Sequence, residues 1–342
     1  MKKRVDFIDS AKGLAICLMV LGHCGYEGSV RDFIYTFHMP LFFILSGVFL
    51  GKKDLRFSES LKKNAKSLLI PYMFIYLVTI PFGLAYIKIK YQMPLTIVDC
   101  LVKPVIGMLY GVDHVVGECY FFTNGPLWFL LALFLSKVVF DVLHHTLYAA
   151  NRRVAGGGYL LASLLSLCLY VCLSTNNLNI WSVAQAALLF PYLLIGFMLG
   201  QIGLINIIKE AKVQYKIIIA SVILPCIWFS TSLLGHIDYN GLMLGTYPAL
   251  TMLVAVLGTL SIMILLSAIR ALPLVVLGQE TLVILGFHHP VMDVIKYSMS
   301  IIGQNNYSSS FLLNLIVSSL TIFSCHVVFI LLKNKVPFLI GK

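Results

Sequence analysis

Apolar stretches long enough to cross a lipid bilayer recur along the whole chain, and they constrain its fold more than any other feature. A transmembrane helix needs about 20 predominantly apolar residues. Ten such stretches are present, at about 8–24, 32–50, 67–87, 127–147, 158–174, 182–203, 216–234, 244–268, 273–301 and 310–332. The sequence therefore predicts an all-α polytopic membrane helix bundle with about ten transmembrane helices.

The composition excludes the soluble classes of protein. Of the 342 residues, 59% are hydrophobic and 11% are charged, whereas soluble domains have roughly 45–50% apolar and about 25% charged residues. The net charge of +11 does not indicate a nucleic-acid-binding surface, because basic residues of membrane proteins collect at cytoplasmic helix ends. Disordered chains, coiled coils, secreted disulfide scaffolds and soluble nucleic-acid binders are all excluded.

The distribution of basic residues predicts the orientation of the chain. With the N-terminus inside, most of the 25 Lys and Arg residues fall in inner segments, as the positive-inside rule requires. Both termini are therefore predicted to be cytoplasmic, and residues 1–342 to form a single transmembrane domain without a fused soluble domain. The long outer segment 88–125 has apolar residues at helical spacing. This favours a helix along the outer interface, with a re-entrant or packed loop as the alternative.

The first span carries three ionisable residues, Asp9, Lys12 and His23. Such groups are costly in hydrocarbon, face the bundle interior and mark functional sites. At about 100° per residue, Lys12 and His23 lie on one stripe of the helix, about 16 Å apart along its axis. Asp9 faces the same way and is expected to pair with Lys12, since His23 lies about 21 Å from it along the axis. Taken singly, the histidine could be a packing residue and Lys12 could extend to the headgroups.

The second span opens with Phe37-His38-Met39-Pro40, which brings a second histidine in from the outer side near the depth of His23. Two histidines suggest either a metal pair or an acid–base pair. A metal needs three or four ligands and no third ligand with motif spacing is apparent, so no metal site is predicted. Acid–base chemistry is favoured because histidine titrates near neutral pH. Further along this span, Gly47 permits close helix approach.

Other polar residues lie at helix ends. Lys66 belongs to a basic cluster before the third span, which fits topology and lipid headgroups and also an anionic phosphate ligand. Asn124 begins an Asn-Gly-Pro turn that opens the fourth span, and Trp128 follows it; this tryptophan could also be an interface anchor. The ninth span holds Glu280 and His288.

Taken together, these motifs resemble the acyltransferase family 3 of integral-membrane acyl-CoA-dependent acyltransferases. The specific part is the basic residue Lys12 with ten residues before His23, combined with the block from Phe37 to Gly47. Weaker matches are Lys66 through Pro71-Tyr72, Gly125-Pro126-Leu127-Trp128-Phe129-Leu130 and Thr281 through His288. The sequence looks most like stand-alone enzymes that O-acetylate cell-surface sugars, such as fucose and capsular polysaccharide acetylases.

The resemblance implies a multi-pass O-acetyltransferase of the plasma or inner membrane. Its donor would be cytoplasmic acyl-CoA, expected to be acetyl-CoA, and its acceptor a hydroxyl of a cell-surface or lipid-linked glycan. No bound cofactor and no nucleic-acid partner are expected. The implied residues are His23 as general base with His38 beside it, Lys12, Asp9 and Lys66 at the donor site, and Asn124, Trp128, Glu280 and His288 in the acceptor pocket.

Two departures from the family pattern stand out. Lys12 occupies a position that is often Arg in the family, which keeps the charge but loses the bidentate fork. In addition, we expect no extracytoplasmic esterase-like domain to be fused to the chain.

The competing interpretation is a transporter or flippase for a glycan lipid. It would predict inverted repeats with broken helices at corresponding positions, and neither is visible in the sequence. A non-catalytic scaffold would leave the ionisable stripe of the first span unexplained.

Overall fold

The computed structural model describes residues 5–25, 27–51, 56–92, 94–111, 124–150, 155–301 and 310–341. These residues are almost entirely helical. The helices are α1 (Asp6–His23), α2 (Ser29–Gly47), α3 (Phe57–Asn64), α4 (Ile70–Tyr91), α5 (Lys103–Tyr110), α6 (Trp128–Ala150), α7 (Ala155–Thr175), α8 (Val183–Gln201), α9 (Leu204–Glu210), α10 (Val213–Leu234), α11 (Pro248–Ala268), α12 (Leu272–Gln279), α13 (Thr281–Ile301) and α14 (Phe311–Lys335). Turns of π-helix precede α4 at Ala65–Leu69 and α5 at Val98–Val102, and 3₁₀ turns lie at Gly125–Leu127 and Pro337–Ile340.

Each of the ten predicted apolar stretches coincides with a helix, and the ninth coincides with two, α12 and α13. Among the described residues, seven helices are long and apolar enough to cross a membrane, or eight if α12 and α13 form one broken span. The helices α1 and α2 are not among them, because ionisable residues lower their hydropathy. These are Asp6, Asp9 and Lys12 in α1 and Arg31 and Asp32 in α2. The all-α polytopic membrane class is confirmed, while the count of ten and the cytoplasmic termini stay predictions.

The chain groups into two compact units. Unit 1 comprises Met1–Asp54, Leu189–Thr281 and Ile302–His326, and unit 2 comprises Leu55–Leu188, Leu282–Ile301 and Val327–Lys342. That residues 1–342 form a single domain stays a prediction.

In unit 1, the helices α1, α2, α9 and α11 enclose an apolar core. Its buried side chains are Phe7, Ile8, Ala11, Ala15, Phe37, Leu41, Leu45, Ile208, Ile262, Met263 and Leu266. Where α2 meets α8, the two backbones touch directly, because a methyl group on Gly47 would overlap the carbonyl oxygen of Leu193. A methyl group on Gly196 would likewise overlap the carbonyl oxygen of Ile44. The close approach predicted at Gly47 is therefore confirmed.

The helices α1 and α12 of unit 1 make the same kind of contact. A methyl group on Gly13 would overlap the carbonyl oxygen of Leu274, and one on Gly278 would overlap that of Asp9. Small residues let helix backbones approach this closely in membrane proteins. The contact fixes α12 beside the N-terminal half of α1, where Asp9 and Lys12 lie.

The connection between α10 and α11 contains a small sheet that the sequence did not predict. Strand β1 (Ile237–Asp238) pairs antiparallel with β2 (Met243–Leu244). Gly235 and Gly245 have φ angles of 72° and 71°, which glycine adopts without steric cost. Because residues 243–244 are in this hairpin, α11 begins at Pro248 rather than at the predicted 244.

In unit 2, residues 98–110 of the predicted outer segment form a helix, as the apolar spacing predicted. Residues of this segment such as Ile97, Leu101 and Leu109 are exposed. The C-terminal carbonyls of α5 are held from within the unit: the Tyr72 hydroxyl donates to Met108 at 2.8 Å and the Trp181 indole donates to Leu109 at 2.6 Å. The helical conformation is confirmed, and its location at the membrane interface stays a prediction. Residues 112–123 of the predicted segment lie outside the described residues.

Candidate active site

The N-terminal part of α1 carries the predicted ion pair. The Lys12 ammonium nitrogen lies 3.8 Å from Oδ1 of Asp9, with 31% and 14% of the two side chains exposed, which confirms the predicted pairing. The other carboxylate oxygen of Asp9 is buried and has no hydrogen-bond partner among the residues described. This end of α1 thus presents a partly exposed cation beside a carboxylate that has one acceptor oxygen to spare.

The C-terminal end of α1 and the middle of α2 bring both predicted catalytic histidines against a single side chain, Tyr35. Its hydroxyl lies 3.5 Å from Nδ1 of His23, and the two rings meet edge to face with centroids 6.1 Å apart. On its other side, the Tyr35 ring lies 5.0 Å from the ring of His38. Sequence reasoning missed Tyr35. Its position one helical turn before His38 was the signal that could have identified it.

Arg31, one helical turn before Tyr35 on α2, packs against the Tyr35 ring. Its guanidinium carbon lies 4.2 Å from the centre of the Tyr35 ring, a cation–π contact. One guanidinium nitrogen is 3.2 Å from Nδ1 of His236 and 3.7 Å from the carboxylate of Asp32. A positive charge therefore lies close to the histidines of unit 1, at a residue that was not among the predicted site residues.

His38 is buried, and its Nδ1 lies 2.8 Å from the carbonyl oxygen of Ile34. A carbonyl only accepts hydrogen bonds, so Nδ1 carries the proton and the neutral ring has its lone pair on Nε2. Two residues later, Pro40 lacks an N–H and leaves the carbonyl of Thr36 without its helical partner. The Tyr239 hydroxyl, from the turn between β1 and β2, donates to that carbonyl at 3.2 Å.

The same arrangement recurs in α13 of unit 2, where the sequence reads Phe287-His288-His289-Pro290. Nδ1 of His288 donates to the carbonyls of Ile284 and Leu285 at 3.0 and 2.9 Å. The carbonyl that Pro290 leaves unpaired belongs to Gly286, and it accepts a 2.7 Å hydrogen bond from the amide nitrogen of Asn124. The recurrence of Phe-His-x-Pro is visible in the sequence.

A family model described as an acyltransferase domain matches residues 5–332, essentially the whole chain. The chain belongs to the acyltransferase 3 family. No curated protein and no solved structure matches it. Membership confirms the resemblance drawn from the motifs and, with the apolar helices, makes the protein a multi-pass membrane acyltransferase. The roles of individual residues stay predictions.

The acyltransferase holds the predicted acceptor residues of unit 2 in its interior. Trp128 and Asn124 are 8% and 5% exposed, so Trp128 does not have the lipid-facing position of an interface anchor. Besides its bond to Gly286, the Asn124 amide nitrogen donates to the Thr79 hydroxyl at 3.2 Å. The Asn124 amide oxygen is buried without a partner among the residues described. Asn124 therefore combines a packing role with one available acceptor atom.

Glu280 occupies the break between α12 and α13 and is buried. Its carboxylate lies 2.8 Å from Nδ1 of His326 on α14, a pairing within unit 1 that the sequence did not predict. Lys66, assigned to the donor site of this acyltransferase, is an exposed residue of unit 2 in the π-helical turn before α4.

Proposed function

We propose that this acyltransferase transfers an acetyl group from cytoplasmic acetyl-CoA to a hydroxyl of a cell-surface or lipid-linked glycan, with His23 as the general base. One observation carries the proposal: α1 is uninterrupted from the Asp9–Lys12 ion pair to His23 at its last residue. Along such a helix, Lys12 and His23 are separated by about 16 Å. The plasma or inner membrane is the proposed location, because there a cytoplasmic donor and an external glycan meet at one bilayer.

The donor is assigned to the inner end of α1. Acyl-CoA has phosphates at one end and a thioester at the other, joined by an extended pantetheine arm whose length is comparable to the Lys12–His23 separation. Lysine binds phosphate as a point charge, and Lys12 is partly exposed for this purpose while Asp9 orients it. Lys66, on the exposed turn before α4 in unit 2, keeps its predicted role in donor binding.

The chemistry is assigned to the outer end of α1. A hydroxyl is a weak nucleophile and needs a base within hydrogen-bond reach. In the proposed reaction, His23 takes the hydroxyl proton as the oxygen attacks the thioester carbonyl carbon. The C–S bond then breaks, the protonated His23 returns the proton to the departing CoA sulfur, and an O-ester remains. His38, with its Nε2 lone pair, is assigned to hold the attacking hydroxyl or share its proton.

Roles in binding the acceptor are assigned to buried residues of each unit by itself, with Trp128, Asn124 and His288 in unit 2 and Glu280 in unit 1. Trp128 offers an aromatic face, and Asn124 and His288 offer an oxygen and a nitrogen as hydrogen-bond acceptors. Glu280 is bonded to His326 through one carboxylate oxygen, and its second oxygen is assigned to a sugar hydroxyl. Membership of an acyltransferase family favours this use of the buried polar groups over a transporter or flippase.

The base assignment is tested by replacing His23 with Gln in the purified full-length protein. Turnover is followed with radiolabelled acetyl-CoA and a panel of fucosylated and capsular oligosaccharides. Because general-base catalysis typically contributes about 10²–10⁴-fold, the variant should lose about 100-fold or more of the rate. The control is His145→Gln, an exposed histidine on α6, which should retain full activity. Retention of about a tenth of the rate by His23→Gln would contradict the assignment.

The donor assignment is tested by titrating a non-hydrolysable acetyl-CoA analogue. Lys12→Ala and Lys66→Ala should each weaken its binding, and Lys12→Arg should bind better than Lys12→Ala because the charge is kept. Lys209→Ala, another exposed lysine predicted on the inner side, is the matched control. Unchanged binding in both alanine variants would locate the phosphates elsewhere.

The transmembrane direction is tested in sealed, oriented proteoliposomes. Acetyl-CoA supplied only on the cytoplasmic side should acetylate an impermeant oligosaccharide supplied only on the other side. If transfer requires both substrates on the cytoplasmic side, the cross-membrane reaction is wrong, although the acyl transfer itself would stand.

A further inference from the structure

We infer that Tyr35 is a positioning residue whose hydroxyl oxygen accepts a hydrogen bond from Nδ1 of His23 and so holds that histidine in the tautomer a base requires. The inference rests on the proposed function of His23. All of its evidence lies within unit 1, in the packing of α2 against the outer end of α1.

The tautomer matters because a neutral imidazole carries one proton on two nitrogens. With the proton on Nδ1, the lone pair of Nε2 can take a proton from a substrate hydroxyl. With the proton on Nε2, that nitrogen has no lone pair available and cannot accept a proton from the hydroxyl. A second residue that binds Nδ1–H selects the first form.

His38 shows how the neighbouring helix makes this selection. Its Nδ1–H is bound by the Ile34 carbonyl at 2.8 Å, so the helix backbone itself fixes the ring. Nδ1 of His23 instead faces the Tyr35 hydroxyl at 3.5 Å. The Tyr35 hydroxyl is therefore to Nδ1 of His23 what the Ile34 carbonyl is to Nδ1 of His38.

The position of the Tyr35 ring is itself constrained. Gly22, the residue before His23, leaves room for it, because a methyl group there would lie 2.8 Å from Cε2 of Tyr35. Arg31 lies against the ring with its guanidinium carbon 4.2 Å from the ring centre. Gly22 on α1 therefore leaves the space that the Tyr35 ring occupies, and Arg31 on α2 packs against the ring and keeps it beside His23.

The first experiment reads the tautomer without requiring activity. The full-length protein, labelled with nitrogen-15 in its histidine rings, is studied in lipid by solid-state NMR, and the His23 signal is identified by its loss in His23→Gln. The wild type should show the Nδ1–H form, and Tyr35→Phe should increase the Nε2–H form. The matched control is Tyr192→Phe, which removes another buried hydroxyl of unit 1 and should leave the His23 signal unchanged. An Nε2–H signal in the wild type, or no change in Tyr35→Phe, would overturn the inference.

The second experiment separates positioning from binding. Tyr35→Phe should lower kcat by about tenfold, the effect of one hydrogen bond on the balance of tautomers, with the KM for acetyl-CoA unchanged. Gly22→Ala should reproduce this loss by displacing the ring. A raised KM with an unchanged kcat would mean that Tyr35 contributes to binding and not to positioning.

The two hypotheses fail in different ways. If the purified protein consumes no acetyl-CoA with any acceptor, the proposed function fails while the tautomer measurement stays readable. If His23→Gln abolishes turnover and Tyr35→Phe changes neither kcat nor the His23 signal, the proposed function stands and the role of Tyr35 is wrong.

Discussion

The helices α2 of unit 1 and α13 of unit 2 carry the same Phe-His-x-Pro motif and meet the same backbone requirement with different side chains. In both, the histidine binds the carbonyl four residues earlier through Nδ1. In both, the proline leaves another carbonyl without its helical partner. A phenol hydroxyl from Tyr239 satisfies it in α2, and the amide of Asn124 satisfies it in α13.

This difference shows that the motif determines the local helix geometry but does not determine which side chain satisfies the freed carbonyl. A proline within a membrane helix is tolerated where another group satisfies the freed carbonyl, and that group ties the helix to one neighbour. The bond from Asn124 is 2.7 Å long and that from Tyr239 is 3.2 Å. In addition, the Tyr239 hydroxyl lies 3.1 Å from the Tyr192 hydroxyl. The freed carbonyl in α13 thus accepts one short hydrogen bond from Asn124. The freed carbonyl in α2 accepts a longer one from Tyr239, whose hydroxyl also pairs with that of Tyr192.

The largest effect that would distinguish the two motifs is on activity. Asparagine can keep a donor at the Nδ1 position while removing Nε2. His38→Asn should lower kcat by about 100-fold if His38 shares the acceptor proton. His288→Asn should mainly raise the KM for the acceptor, by about tenfold, as expected for loss of one hydrogen bond. Steady-state kinetics of both variants tests this. Full activity of His38→Asn would mean that the motif in α2 serves packing alone.

The next effect is on the stability of unit 2. Asn124→Leu leaves the buried Gly286 carbonyl unsatisfied, which should lower the free energy of unfolding by about 1–3 kcal/mol. Thermal unfolding of the full chain measures it. In a Pro290→Ala background, the restored N–H can bind that carbonyl, so the same replacement should cost less. An equal cost in both backgrounds would show that the stability contributed by Asn124 comes from elsewhere.

Tyr239→Phe should give a smaller loss in unit 1, about 0.5–1.5 kcal/mol. The hydrogen bond to Thr36 that it removes is longer than the bond from Asn124 to Gly286. Pro40→Ala is the corresponding background for the double-mutant cycle. A loss larger than that of Asn124→Leu would reverse the order drawn from the two bond lengths.

The smallest effects are expected from the two prolines alone. Because Tyr239 and Asn124 already satisfy the freed carbonyls, Pro40→Ala and Pro290→Ala should change the free energy of unfolding by no more than about 1 kcal/mol, comparable to the entropic contribution of a proline to the unfolded chain. The same unfolding measurement applies. A large loss in either variant would mean that the ring of that proline is itself a packing element.

The sequence predicted what depends on local spacing. The helices follow from the apolar stretches, the Asp9–Lys12 pair from a separation of one helical turn, and the close approach at Gly47 from its missing side chain. Two of the unpredicted contacts join residues far apart in the chain: Tyr239 and Thr36 are separated by 203 positions and Asn124 and Gly286 by 162. No periodicity encodes such pairs, because tertiary packing alone brings them together.

The hairpin and Tyr35 illustrate the same limit in two ways. Residues 243–244 read as the start of an apolar span, and only their pairing with residues 237–238 makes them strand. In the sequence, Tyr35 is one of several aromatic residues of a membrane helix. Its role is indicated only by its contacts with Gly22 and His23 of α1. The candidate histidines could be identified from sequence, whereas the contact that Tyr35 makes with His23 of the neighbouring helix could not.

The glycine contact between α1 and α12 has a mechanical consequence. Side chains between two helices can change rotamer and absorb a small displacement, whereas two touching backbones have no such compliant layer. The Asp9 end of α1 and the Gly278 end of α12 should therefore shift as one body. Any ligand that draws Lys12 toward itself would then pull on the break at Glu280, and through it on the histidine of α14 to which that carboxylate is bonded.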